Sequence, residues 1–295
     1  MSRLRTDLLL LLVALIWGTT FVAQKDAFAS TGPCTFVAAR FFISMLLILP
    51  LAIKEKKQLP GRKEILGTAS EIPWVCAAFC AGVILQQIGA GKTSVTNAGF
   101  LTGLYVIFVP IICTLVYKQK LSGWVYLASL LSLAGLWFMS GSRLDGFSVG
   151  DMFILACVVG FAAQVTLVGR IMARIKAPFI LSFLQYAAVT AVALIGAIAF
   201  EHPTIAGLRA AAVPILYAGV MSGGIGYTLQ VVAQQYTPAS DAVIILSGES
   251  VFAAIAGAIM LNERLTPMQY TGCALITFAI ILTELMPLIF RKKEA

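Results

Sequence analysis

The sequence predicts an all-α polytopic membrane protein: ten transmembrane helices in two inverted five-helix repeats, with both termini in the cytoplasm. Three observations carry this prediction. First, the 295 residues are 60% hydrophobic and 12% charged, with mean hydropathy +0.94. A soluble domain is nearer about 45–50% apolar and about 25% charged, so one aqueous core cannot hide this much apolar surface and a bilayer must be the solvent. Second, the apolar residues fall into ten runs, each near the roughly 17–25 residues needed to cross the hydrocarbon. Third, the chain repeats itself at an offset of 144 residues: Gln86 matches Gln230, Gly82 matches Gly226, Thr93 matches Thr237, Asp7 matches Asp151 and Tyr126 matches Tyr270.

Taken in order, the first copy gives spans at 7–24, 34–53, 74–90, 96–117 and 122–140. The second gives 151–169, 178–199, 211–233, 240–261 and 267–289. Without water to satisfy peptide groups, runs of this length span as helices. Span one follows Arg3 and Arg5, and Ala27-Phe28-Ala29 beyond it imitates a signal-peptidase site. Its match to 151–169 predicts a retained helix instead. Span four holds Pro110, which can kink it. Span eight holds Gly223-Gly224-Ile225-Gly226, the best hinge candidate. The loop at 54–73 is mixed-charge and reads as a cytoplasmic connection. The domains are 1–145 and 146–295, one five-helix unit each.

Orientation follows from the basic residues. With the N-terminus inside, fifteen of the 21 lysines and arginines are cytoplasmic and five external, and Arg40 lies within span two. The net charge of +8 therefore reports topology, and no nucleic-acid partner is implied. Five spans per copy turn the second copy upside down, and inverted repeats mark secondary transporters.

Four motifs stand in order along the chain: Ala14-Leu15-Ile16-Trp17-Gly18, Arg40-Phe41-Phe42, Leu246-Ser247-Gly248-Glu249-Ser250-Val251, and Leu261-Asn262-Glu263-Arg264-Leu265. Together they resemble the EamA family of the drug/metabolite transporter superfamily over nearly the whole chain. The resemblance implies export of a metabolite or drug across the cytoplasmic membrane, without naming the solute. Two positions depart from the family pattern. Ser250 stands where proline is frequent, and Asn262 where glycine is usual.

Two ionisable residues sit well inside spans, Arg40 and Glu249. A charge at the bilayer centre costs at least about 2.5–3.5 kcal/mol, so each should face the bundle interior with a partner. Arg40 and Glu249 can form a coupling or structural ion pair, or else Arg40 anchors helix ends or carbonyls, or meets a substrate carboxylate. Alternatively, Glu249 contacts a substrate amine or loads and releases a proton. Its mate is Tyr105, so the two halves are not chemically equivalent. Gln86 and Gln230 are matched amides, able to donate and accept around a pseudo-two-fold axis or to bond helices together. Trp17, Tyr105 and Tyr227 offer aromatic walls or plain core filling. Thr20 and Gln164 are mates that can add polar contacts, whereas Asn97 and Asp241 are better read as helix caps. The substrate-binding candidates are therefore Trp17, Gln86, Tyr105, Tyr227, Gln230 and Glu249.

The expected partners are a small-molecule substrate, the lipid bilayer and protons, in the cell membrane. No cofactor or metal is expected, because the six cysteines lie in or beside apolar runs, as small hydrophobes do. A membrane enzyme would need a polar catalytic cluster, and the one histidine, His202, sits in a loop beside Pro203. No Gly-x4-Gly-Lys-Ser/Thr loop for phosphate occurs. The leading expectation is a secondary transporter exporting small organic metabolites such as amino acids by alternating access. The alternative is a multidrug or cation exporter with Glu249 as counter-charge.

Overall fold

The computed structural model describes residues 3–57, 67–139, 148–260 and 264–291. The turn around Asn262 and Glu263, the stretch 58–66 and the tail from Lys292 lie outside them. Eight of its helices are long and apolar enough to cross a membrane, and two shorter apolar helices, Gly123–Met139 and Pro267–Thr283, complete ten. We label the ten spans α1 (Arg3–Ala27), α2 (Pro33–Lys56), α3 (Ile72–Ala90), α4 (Asn97–Val116), α5 (Gly123–Met139), α6 (Val149–Arg174), α7 (Pro178–Phe200), α8 (Ala212–Ala233), α9 (Ala239–Met260) and α10 (Pro267–Arg291). The chain is a multi-pass membrane protein. Its inner end is the one that the lysine and arginine bias assigns to the cytoplasm.

Pairing of repeat mates makes the inversion visible. α2 and α7 pack antiparallel, and each caps the other. The Glu201 carboxylate, at the end of α7, accepts from the Cys34 and Thr35 amides (2.7 and 2.8 Å) and the Thr35 hydroxyl (2.8 Å) at the start of α2. Glu55, near the end of α2, accepts from the Ile180 amide (2.8 Å) at the start of α7. Neither helix has a side-chain cap of its own, since Gly32 and Ala177 stand at those positions. The orphan amides are satisfied by the opposite repeat. α5 and α10 form the second antiparallel pair, with Gly135 against Gly272 and the Gln269 amide donating to the Met139 carbonyl (3.1 Å).

These two pairs flank a central group of six helices. Three of the six are irregular. α4 breaks at Leu104, between Val95–Gly103 and Tyr105–Ile111, and then widens into a π-helical turn, Ile112–Val116, after Pro110. α9 breaks at Ser247, between Ala239–Leu246 and Gly248–Met260. The two breaks fall at matching places in the two repeats. Ser250 bridges them, donating to the Gly99 carbonyl of α4 (2.7 Å), so the serine at the family's proline position ties α9 to its mate. α8 carries a ten-residue π-helix, Ala218–Tyr227, between two short α-helical pieces.

The π segment follows from close approach. A Cβ on Gly219 would stand 2.9 Å from the Arg40 carbonyl, and one on Gly223 would collide with Ser44 of α2. The widened turn frees carbonyls for side chains from three neighbours. Ser44 donates to Gly219 (2.7 Å), Trp17 to Ser222 (3.4 Å) and Tyr186 to Gly223 (2.7 Å). Such irregular backbone survives at membrane depth because protein groups bond it.

Candidate functional site

A cavity of about 20 Å³ lies between the six central helices, lined from α1, α3, α4, α6, α8 and α9. Its wall contains four pairs of repeat mates: Trp17 with Phe161, Thr20 with Gln164, Phe21 with Val165, and Tyr105 with Glu249. The pseudo-two-fold axis therefore passes through this space. Gln24, Gln86, Thr102, Ser222 and Tyr227 complete the wall.

The two breaks place the site's central chemistry. Tyr105 opens the second half of α4. Glu249 lies in the first turn of the second half of α9, at the positive end of a half-helix, where a carboxylate is favoured. Both are buried, at 2% exposure each, and among the described residues the Tyr105 hydroxyl and Glu249 Oε1 have no hydrogen-bond partner. The phenol and the carboxyl are neighbours without a well-formed hydrogen bond. Polar atoms left unpaired in a dry interior are costly unless a further group serves them.

Tyr227 anchors an aromatic cluster on one side. Its ring centroid lies 4.5 Å from Trp17, 4.8 Å from Phe79 and 5.9 Å from Phe41. Phe79 meets it edge-on at 84°, a favourable aromatic arrangement. The cavity is thus half aromatic wall and half polar edge.

Of the sequence candidates, Trp17, Gln86, Tyr105, Tyr227 and Glu249 share this wall. Gln230 does not. It is fully buried toward the inner end, where its amide donates to Gln164 (3.3 Å) and Gln234 (2.9 Å). Its mate Gln86 is bonded in a corresponding network at the outer end, accepting from Gln24 (3.4 Å) and donating to Thr102 (3.3 Å).

The expected ion pair of Arg40 with Glu249 is not formed. Arg40 sits on α2, which contributes nothing to the cavity wall. It is 1% exposed and its guanidinium lies over the Phe41 and Phe36 rings, at 4.8 and 5.3 Å from their centroids. All three guanidinium nitrogens lack a hydrogen-bond partner among the described residues. Aromatic faces have replaced the carboxylate as its neighbours.

Asn97 and Asp241 are not the helix caps the sequence suggested: Ser94 caps the first helix, and Pro238 stands at the cap position of the second. At the outer end the Asp151 carboxylate accepts from Asn97 (2.6 Å), Thr93 (2.8 Å) and the Ser148 amide (2.9 Å). At the inner end Arg3 donates to the Asp241 carboxylate (3.0 Å) and lies 3.7 Å from Asp7. Asp151 and Asp7 are mates, as are Asn97 and Asp241. Matched positions therefore join helices at both ends by different chemistry, a carboxylate–amide contact between α4 and α6 outside and an arginine between the carboxylates of α1 and α9 inside.

The sequence candidates did not include Phe21, Gln24, Thr102, Phe161, Val165 and Ser222. Phe161 was within reach, being the mate of Trp17. Gln24 and Thr102 were not, because their mates, Val168 and Leu246, are apolar.

A family model described as the EamA-like transporter family matches residues 4–141 and again 148–285. The chain belongs to the EamA-like transporter family. A relative named only as an uncharacterized transporter, from Archaeoglobus fulgidus, is 36% identical over 288 residues, covering 96% of this chain and 87% of that one. The uncharacterized transporter YwfM of Bacillus subtilis is 26% identical, covering 95% and 94%. YoaV of the same organism is 24% identical, covering 92% and 93%. A solved structure titled only as a crystal structure of a protein superposes with a TM-score of 0.77 over the whole of both chains at 16% identity, which shows the shared fold. As a transporter of this family, the chain acts on a small molecule across a lipid bilayer.

Proposed function

We propose that this transporter exports small organic metabolites, amino acids among them, across the cytoplasmic membrane by alternating access. The single observation behind the reading is the set of four mate pairs lining one central cavity where two discontinuous helices cross. Broken helices at matched positions of inverted repeats are where secondary carriers hold substrate. Glu249 is the group for a substrate amine or a proton, and its unsatisfied oxygen supports that role. Trp17, Tyr105 and Tyr227 form the apolar contact, and Gln86 the orienting amide.

The cavity of about 20 Å³ is far below the roughly 300–1,000 Å³ of ligand sites, so substrate enters a wider conformation. The π-helix of α8 and the breaks of α4 and α9 are the backbone positions at which widening occurs. An exporter of organic cations is the second reading. The aromatic wall beside Glu249 supports it, because ring faces and a carboxylate both attract a cation.

The test is flux in proteoliposomes at two imposed pH gradients, comparing the parent protein with Glu249→Gln. The panel holds aromatic amino acids, other amino acids, nucleosides and a quaternary ammonium. Saturable amino-acid flux that follows the gradient and is lost in Glu249→Gln supports metabolite export with proton coupling. Flux of the quaternary ammonium alone moves the reading to a cation exporter. Saturable flux unchanged in Glu249→Gln removes the carboxyl from the mechanism.

A further inference from the structure

A second space lies at the inner end, a vestibule of about 440 Å³ between the ends of α4, α6 and α8 and the turn leading into α9. Thr166, Arg170, Gln234 and Thr237 are among its lining residues. It nearly reaches the central cavity. On α6, Gln164 and Val165 line the cavity and the next residue, Thr166, lines the vestibule.

A ladder of amides fills the gap. The Gln230 amide donates to Gln164 (3.3 Å) and to Gln234 (2.9 Å), and the Gln234 amide donates to the Val165 carbonyl (2.8 Å). One end of the ladder touches the cavity and the other the vestibule. The network is incompletely satisfied, since Gln230 Oε1 is buried without a partner among the described residues. Amide networks of this kind hold helices together while costing little to open.

The outer end carries its own network, built on Gln86, the mate of Gln230. Gln24 donates to Gln86, Gln86 to Thr102, and Gln87 to the Gln24 carbonyl (3.2 Å). Here too buried amide oxygens are left over, on Gln24 and Gln87. Beyond them the Phe28 ring packs over Gly91 and Gly89 against Gly150. A space of about 820 Å³ also lies at this end, between α1, α8 and α9, with Thr19, Val22, Ala23 and Tyr217 among its lining residues.

We propose that the inner vestibule is the port through which solutes pass between the cytoplasm and the central cavity, that the Gln164–Gln230–Gln234 ladder is its gate, and that the Gln24–Gln86–Thr102 network is the matching outer gate. The proposal rests on the alternating-access reading above but needs no knowledge of the substrate.

It is tested by access to the cavity. Thr20→Cys places a thiol on the cavity wall, and its modification by a membrane-impermeant methanethiosulfonate is followed by mass spectrometry of the peptide containing residue 20. Inside-out and right-side-out vesicles are compared. Gln230→Leu, which keeps the volume and deletes two hydrogen bonds, is expected to raise the labelling rate about fivefold in inside-out vesicles only. Gln86→Leu is expected to raise it in right-side-out vesicles only. Gln234→Ala, at the vestibule edge, is the milder inner variant should Gln230→Leu not fold, and it carries the same expectation. An unchanged rate, or an equal rise from both faces, overturns the proposal. Side-specific labelling with no flux of any panel solute retains the port and rejects the substrate reading instead.

Discussion

The contact between α2 and the π-helix of α8 allows a quantitative test. The single Ser44 hydroxyl proton lies between two carbonyls, Gly219 at 2.7 Å and Arg40 of its own helix at 2.9 Å, in a site of zero exposure. In Gly223→Ala the new Cβ would occupy the place of Ser44 Oγ and stand 3.0 Å from Ser44 Cβ. The hydroxyl must rotate away, which breaks its bond to α8, at about 1 kcal/mol. The residual Cβ crowding adds about 1 kcal/mol, so the single variant should lose about 2 kcal/mol. Ser44→Ala loses the same bond without the crowding and should lose about 1 kcal/mol. The double variant breaks that bond once only. It should lose about 2 kcal/mol rather than the additive 3, a coupling of about 1 kcal/mol. Reversible unfolding of the purified protein in mixed micelles, followed by circular dichroism, measures all four corners of the cycle. Strict additivity would refute the reasoning, because it would mean that the hydroxyl and the glycine do not share one space.

Two further outcomes follow from buried charge and from capping. Arg40→Met removes a guanidinium that has aromatic neighbours but no hydrogen bond, and should stabilise the protein by about 1 kcal/mol or more in the same unfolding assay; a clear loss of stability would show that Arg40 has a partner this structure does not contain. Glu201→Gln should cost about 2 kcal/mol and Glu55→Gln about half that, since Glu201 accepts three charge-assisted bonds at a helix N-terminus and Glu55 one; equal losses would contradict the reciprocal capping.

What the sequence determined by itself was everything that one dimension of hydropathy and one offset can encode. Runs too long and too apolar for water dictate helices in a bilayer. A gapless repeat of five spans dictates inversion, so mates such as α2 and α7 run in opposite directions, but that they pack together is decided by the tertiary structure. The repeat also located the centre of the molecule. Tyr105 and Glu249 are mates, and the structure puts both on one wall beside Trp17, Gln86 and Tyr227. The tertiary structure alone decided which face of each helix those residues use. Gln230 has the same residue type and repeat position as Gln86, yet it points into the inner amide ladder and not the cavity. Arg40 and Glu249 lie at similar depths, but α2 is excluded from the ring of six helices, so the charges do not meet. The rotation of a helix about its axis is set by packing against neighbours far away in sequence, such as Ser44 against Gly223, and hydropathy carries no record of it when every face of a span is apolar.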